Sequence, residues 1–225
     1  MNGINLQIPE GKTTAIVGMS GSGKTTLLKL LLRFYNPTEG NFRVGNSALA
    51  DISPRYWRKK CGVVMQDGTI FSDTIANNIT VGFANVDTGY LKLAAEMSNI
   101  QSFIEELPKG YNTKIGPDGM GLSQGQKQRL LIARAIYKNP DFIFFDEATN
   151  ALDANNEAVI VDNMKAFFKN RTVVVVAHRL STVRNADQIV VMEKGQIVET
   201  GTHQELVYKR GIYFGLVENQ LELST

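Results

Sequence analysis

The chain has 225 residues, 43% of them hydrophobic and 20% charged, with a formal net charge of +2. That length accommodates one large domain, or a core domain with a smaller insert, and the composition supports a packed core and excludes a disordered chain. The nearly balanced charge gives no electrostatic case for nucleic acid or a membrane surface as partner, and the single Cys61 excludes an internal disulfide framework and suits a reducing compartment, where it serves as a small packed residue.

Before the first strand, MNGINLQIPEGK lacks the basic and apolar regions of a signal peptide. Thr13–Val17 is a short β-type run that ends in glycine. Thr25–Phe34 is helical by composition and is stopped by Asn36-Pro37. Gly40–Val44 reads as a strand of a more peripheral sheet, and Cys61–Met65 as another short apolar strand. From roughly Asp67 to Lys138 the texture becomes mostly helical, over Thr74–Asn78, Tyr90–Met97, Ile100–Leu107 and Gln126–Tyr137. Phe142–Phe145 and Thr172–Ala177 are unbroken apolar runs of the kind that parallel strands show when both faces are covered. A helix over Asn155–Phe168 lies between them and completes a βαβ unit. Ile189–Met192 and Gln196–Glu199 flank Glu193-Lys194-Gly195 and read as a hairpin.

Strands alternating with helices indicate an α/β fold with a mostly parallel sheet. The expected organisation is one domain over residues 1–225. Its core and a peripheral antiparallel β subdomain take up 1–66 and 139–225, and an inserted α-helical subdomain takes up 67–138. The longest apolar run, Val173–Ala177, has five residues, far short of the ~20 that span a bilayer, so the chain reads as soluble.

Three stretches carry chemistry. Gly18-Met19-Ser20-Gly21-Ser22-Gly23-Lys24-Thr25 matches G-x-x-x-x-G-K-[ST] in full, after a strand and at the opening of a helix. Its glycines let backbone N–H groups converge on phosphate oxygens, and the helix N-terminus adds partial positive charge. Lys24 is expected to reach the β- and γ-phosphates, and Thr25 to offer its hydroxyl to Mg²⁺. FIFFDE ends a buried strand in Asp146 and Glu147, at the sheet edge where ligands bind in open α/β folds. Asp146 suits a Mg²⁺ partner, and Glu147 suits polarisation of an attacking water. Finally, GLSQGQKQR, residues 121–129, places Ser123 and Gln126 as S-x-x-Q, an N-cap with its reciprocal partner.

Taken in order, GMSGSGKTT, Gln66 after CGVVM, LSQGQ, FIFFDEAT, NALD and the histidine of VVVVAHR resemble the nucleotide-binding domain of an ABC transporter over nearly the whole chain. The resemblance implies a P-loop NTPase core that binds ATP and Mg²⁺. It gives Gly18, Ser20, Gly21, Ser22, Gly23, Lys24, Thr25 and Thr26 to the Walker A loop. Gln66 becomes the Q-loop glutamine, near the Mg²⁺ ion and the attacking water, and Asp146 the Walker B aspartate. Glu147 becomes the catalytic glutamate, His178 the switch histidine at the γ-phosphate, and Asn150–Asp153 the D-loop. Ser123, Gly125 and Gln126 of the signature motif, with Asp153, would serve the ATP held by a second copy in a head-to-tail dimer. By contrast, His203 reads as a residue capping or decorating a surface helix.

GTIFSDTIANNI and TKIGPDG resemble exporter segments that meet the membrane domain, with the aromatic near Phe71 contacting its coupling helices; the alternative for Phe71 is a core position. The wording is nearest to peptide and bacteriocin exporters. That implies a transmembrane domain fused on the N-terminal side and a place at the cytoplasmic face of a cell membrane.

Two departures from the family pattern stand out. Only seventeen residues precede Gly18 and none is aromatic, so the ring that stacks on adenine is missing and the chain reads as a piece of a longer polypeptide with weakened ATP affinity. Gln124 also stands where the signature usually has glycine, so its side chain must project away from the phosphate. Competing readings are an ABC-type ATPase acting on nucleic acid and a nucleotide-binding module without turnover. The first lacks basic extensions or a second cassette, and Glu147 and His178 argue against the second.

Overall fold

The computed structural model describes residues 1, 3–146, 154–177 and 183–222. In chain order its elements begin with β1 (Thr13–Val17), α1 (Lys24–Leu31), β2 (Arg43–Val44), β3 (Ser47–Ala48), α2 (Pro54–Lys60) and β4 (Cys61–Val64). There follow β5 (Asp73–Thr74), α3 (Ile75–Ile79), α4 (Thr88–Met97), α5 (Gln101–Glu105), β6 (Lys114–Ile115) and α6 (Gln124–Tyr137). The last are β7 (Phe142–Asp146), α7 (Ala154–Phe168), β8 (Thr172–Val176), β9 (Gln188–Glu193), β10 (Gln196–Gly201), α8 (His203–Lys209) and α9 (Ile212–Glu222). The chain forms two compact units. One comprises Met1–Cys61, Asp141–Glu147 and Asn170–Thr225, and the other Gly62–Pro140 and Ala148–Lys169.

Within the first unit the sheet runs β10-β9-β1-β8-β7. β1 lies inside the sheet, paired on both edges: Ala15 sits opposite Val175 of β8 and opposite Ile189 of β9, both in parallel. β7 pairs in parallel with β8, and only β10 runs antiparallel, returning from β9 through a two-residue turn. This is the α/β architecture with a mostly parallel sheet that the unbroken runs FIFF and TVVVV imply; β8 is buried along its whole length. Leu27, Leu28 and Leu32 of the α1 segment join that core. Each residue fully buried there contributes roughly 1.5–3 kcal/mol of transfer free energy.

The strand expected over Gly40–Val44 shortens to Arg43–Val44, which pairs with Ser47–Ala48 in a two-stranded antiparallel ladder. Helix α2 is an addition to the sequence reading. Pro54 occupies its first turn, where a missing N–H costs nothing, and Trp57 anchors it. The Trp57 indole N–H donates to the Leu31 carbonyl at 2.9 Å, and its ring lies 4.8 Å from that of Phe142. Thr202 caps α8, with Glu205 returning a bond to the Thr202 N–H. His203 is the first residue of that helix, its Nδ1 2.8 Å from the Tyr213 hydroxyl. Burial pushes the Tyr213 phenol up to about 12; it also lowers the His203 imidazole, as does the nearby Arg184.

The second unit is helical apart from the β5–β6 ladder and its part of β4. Helices α4 and α6 pack together, and Leu91, Ala94, Ala95, Leu130 and Ala133 on them are buried. Asn78, fully buried, organises the segment before them: its Oδ1 accepts from the Phe71 N–H at 2.9 Å, and its Nδ2 donates to the carbonyls of Phe71 and Thr74. Arg134 of α6 clamps the same segment by donating to the carbonyls of Asn78 and Thr69 at 2.7 and 2.9 Å. Among the described residues no helix is long and apolar enough to cross a membrane.

Candidate functional site

The site begins where β1 ends. Val17 lies in register with Val191, and the chain then turns through Gly18–Gly23 into α1. Gly18 has φ +148, and a Cβ on it would stand 2.1 Å from the Met192 carbonyl oxygen, so only glycine lets the loop pass this close to β9. Gly23, at φ +103, is the N-cap of α1 and supplies no side-chain cap, and the first turn of that helix contains no acid. No side chain or acid therefore competes at this helix start, where the helix dipole favours an anion.

Lys24 is 5% exposed, its Nζ donating to the carbonyls of Gly18 (2.8 Å) and Met19 (3.0 Å). The ammonium is thus held over the loop itself. Ser20, Gly21 and Thr26 are exposed, whereas Ser22 is 4% exposed and its buried Oγ has no hydrogen-bond partner. A helix start without side-chain cap or acid, a buried ammonium and an orphaned hydroxyl on one glycine-rich turn fit a phosphate chain.

Sheet register brings the second component to the same edge. Asp146 pairs with Val176, and Val176 with Ile16, so the ends of β7 and β1 lie level. The Thr25 hydroxyl donates to Asp146 Oδ1 at 3.3 Å, joining residues 121 apart in sequence. Asp146 is 4% exposed. Among the described residues there is no group of three or more His, Cys, Asp or Glu able to hold a metal ion. A hydroxyl beside one carboxylate still suits Mg²⁺, an ion that usually takes only one or two carboxylates from the protein.

The second unit carries the other described candidates. Gln66 is exposed, just beyond β4, in a turn closed by the Gly68 N–H on the Met65 carbonyl. A Cβ on Gly68 would lie 2.3 Å from Leu131 Cδ1, so this turn is seated on α6. At the start of α6, the Ser123 hydroxyl accepts from the Gln126 N–H at 3.2 Å, and Gln126 Oε1 accepts from the Ser123 N–H at 2.8 Å. That is the expected capping box, worth about 1 kcal/mol to the helix. Gly125 lies in the first turn, and Gln124, its first residue, is exposed. Phe71 is 48% exposed, which sets aside a core position for it; the Arg134 guanidinium lies 5.2 Å from its ring centre, and burial lowers that guanidinium's pKa. Glu147, Asp153 and His178 lie outside the described residues. Sequence reasoning overlooked Met192, whose carbonyl forms the floor under Gly18; no residue type signals such a contact.

Comparison with known proteins matches this arrangement. The family described as ABC transporter matches residues 1–150. The leukotoxin export ATP-binding protein LtxB of Aggregatibacter actinomycetemcomitans is 46% identical over 222 residues, covering 98% of this chain and 31% of that protein. The toxin RTX-I translocation ATP-binding protein of Actinobacillus pleuropneumoniae is 47% identical over 223 residues, 99% of this chain and 32% of that protein. ABC transporter B family member 3 of Dictyostelium discoideum is 44% identical over 219 residues, 97% of this chain and 15% of that protein. A bacterial Atm1-family ABC exporter, solved with ATP bound, aligns with a TM-score of 0.92 at 40% identity, covering 97% of this chain and 38% of that one. The chain thus spans between 15% and 32% of the length of these curated relatives. A family match across residues 1–150, on a chain whose phosphate loop and strand-end aspartate meet through Thr25, means that this chain belongs to the ABC transporter family.

Proposed function

We propose that the chain is the ATP-binding and ATP-hydrolysing part of an ABC exporter. The observation that carries this reading is the bond from the Thr25 hydroxyl to Asp146, which unites the phosphate loop with the strand-end carboxylate. Gly18, Ser20, Gly21, Ser22, Gly23, Lys24, Thr25 and Thr26 bind the phosphates through backbone N–H groups, the ammonium and hydroxyls. Thr25, Asp146 and Gln66 would hold Mg²⁺, which would supply charge neutralisation on the phosphate oxygens. Lys24 offsets the charge that develops on the transferred phosphoryl group. Glu147 orients and polarises the attacking water, and His178 contacts the γ-phosphate.

Ser123, Gly125, Gln126 and Asp153 act on the nucleotide of a second copy, arranged head to tail. Export relatives more than three times the length of this chain support a transmembrane domain as the further partner, fused on the N-terminal side. Their printed names concern toxins; for this chain the proposed transported class is peptides, and the proposed location is the cytoplasmic face of a cell membrane. The test is phosphate release from ATP with and without Mg²⁺. Release should need the ion and stop when it is chelated; equal release after chelation would refute the assigned roles of Thr25 and Asp146.

A further inference from the structure

The β9–β10 turn touches the phosphate loop in a way the nucleotide-binding reading, on which this inference rests, does not account for. Lys194 and Gly195 form the two-residue turn between Glu193 and Gln196, with φ +47 and +79. Two positive φ values are what a tight hairpin of this twist requires. The Gly195 N–H points out of the turn and donates to the Ser22 carbonyl at 3.0 Å. Nearby, the Met192 carbonyl lies under Gly18, and a Cβ on Gly23 would stand 3.5 Å from Met192 Cε and 3.6 Å from Gly195 Cα.

We infer that the Gly195 N–H is a positioning group that sets the orientation of the Ser22–Gly23 peptide for phosphate binding. The peptide is trans, so its carbonyl and its N–H point to opposite sides. With the Ser22 carbonyl tied to the hairpin, the Gly23 N–H points away from the hairpin. That is the side from which a phosphate must approach, because Met192 and Gly195 occupy the other. A flip of this one peptide would aim a carbonyl oxygen at the anion in place of a donor. Glycine at 23, φ +103, makes such a flip sterically easy, so the loop needs an external restraint. The hairpin supplies it from a strand that pairs directly with β1.

The experiment removes only the donor. An ester in place of the amide between Lys194 and residue 195, introduced with glycolic acid at 195 in the full chain, deletes the N–H and leaves the turn geometry intact. Lys194→Asn is the control, since asparagine accepts positive φ and keeps the N–H. The ester should raise the ATP Kd about tenfold, or about 1.4 kcal/mol, with the melting temperature within about 3 °C and kcat at saturating ATP within about threefold. Lys194→Asn should leave the Kd within twofold. An unchanged Kd in the ester protein would overturn the proposal. So would a Kd that rises only alongside a large fall in melting temperature, which would indicate general loosening. A wild-type chain that binds no ATP would instead refute the proposed function from which the inference starts.

Discussion

Lys24→Ala is expected to lower kcat/KM for ATP hydrolysis about a thousandfold, or roughly 4 kcal/mol of transition-state stabilisation. The ammonium is 5% exposed and held on the loop carbonyls of Gly18 and Met19, so its charge sits in place before nucleotide arrives. A preorganised charge in a partly desolvated site acts more strongly than one in water, and it requires no rearrangement as charge develops on the phosphoryl group. Binding should suffer along with turnover, because the proposed role sets the same ammonium against the phosphates of ATP. Lys24→Arg should not rescue it: the planar guanidinium is broader than the ammonium, and the Gly18 and Met19 carbonyls already take two of the ammonium's three donors. Isothermal titration with ATP and a phosphate-release assay check both effects, with circular dichroism confirming the fold. An alanine variant that turned over within tenfold of wild type would remove Lys24 from the mechanism.

Glu147→Gln should behave differently. It should lower phosphate release by about 10²–10³-fold, in the range of a lost general base, while leaving the ATP Kd within about threefold. Asp146, its neighbour, terminates β7 4% exposed and bonded to Thr25 of the loop, and is proposed for the metal. That leaves Glu147 as the carboxylate for the water. The contrast between the two variants is itself informative: one loses binding and turnover together, the other turnover alone. Fast release from the glutamine variant would assign the water to another group.

The regular elements were readable because local chemistry decides them. TTAIV and TVVVV are β-branched or apolar throughout, and they form β1 and β8 in the middle of the sheet. The Ser123/Gln126 capping box was readable for the same reason, since both partners fall within one helical turn. Helix α2 went unread although Ser53-Pro54 is a start signal. Its seven residues carry little periodicity, and what holds it is the Trp57 contact with Leu31 and Phe142. The β5–β6 ladder has two residues per strand and is specified by pairing Asp73 with Ile115, a long-range choice invisible to local pattern. In the candidate site, residue types at Lys24, Thr25 and Asp146 were legible from spacing. The Met192 floor and the Gly195 bond were not, because they are backbone contacts fixed by the register of β9 against β1.

Arg134 illustrates the same limit. A guanidinium on a helix usually suggests an acidic partner, yet this one is held by the carbonyls of Thr69 and Asn78, Asn78 Oδ1 and the face of Phe71. It fastens the segment that follows Gln66 to the helix that starts at Ser123. Gln66 and Ser123, two of the proposed site residues, therefore lie together in the second unit.

In the proposed head-to-tail pair the Ser123 helix start serves the ATP held by another copy. Sedimentation velocity of the Glu147→Gln chain with saturating Mg²⁺–ATP, alongside the same protein carrying Ser123→Arg, reads out that pairing. ATP should double the sedimenting mass of the first and leave the second monomeric, though still able to bind ATP. A monomer at saturating ATP, or a dimer that Ser123→Arg leaves intact, would rule the pairing out.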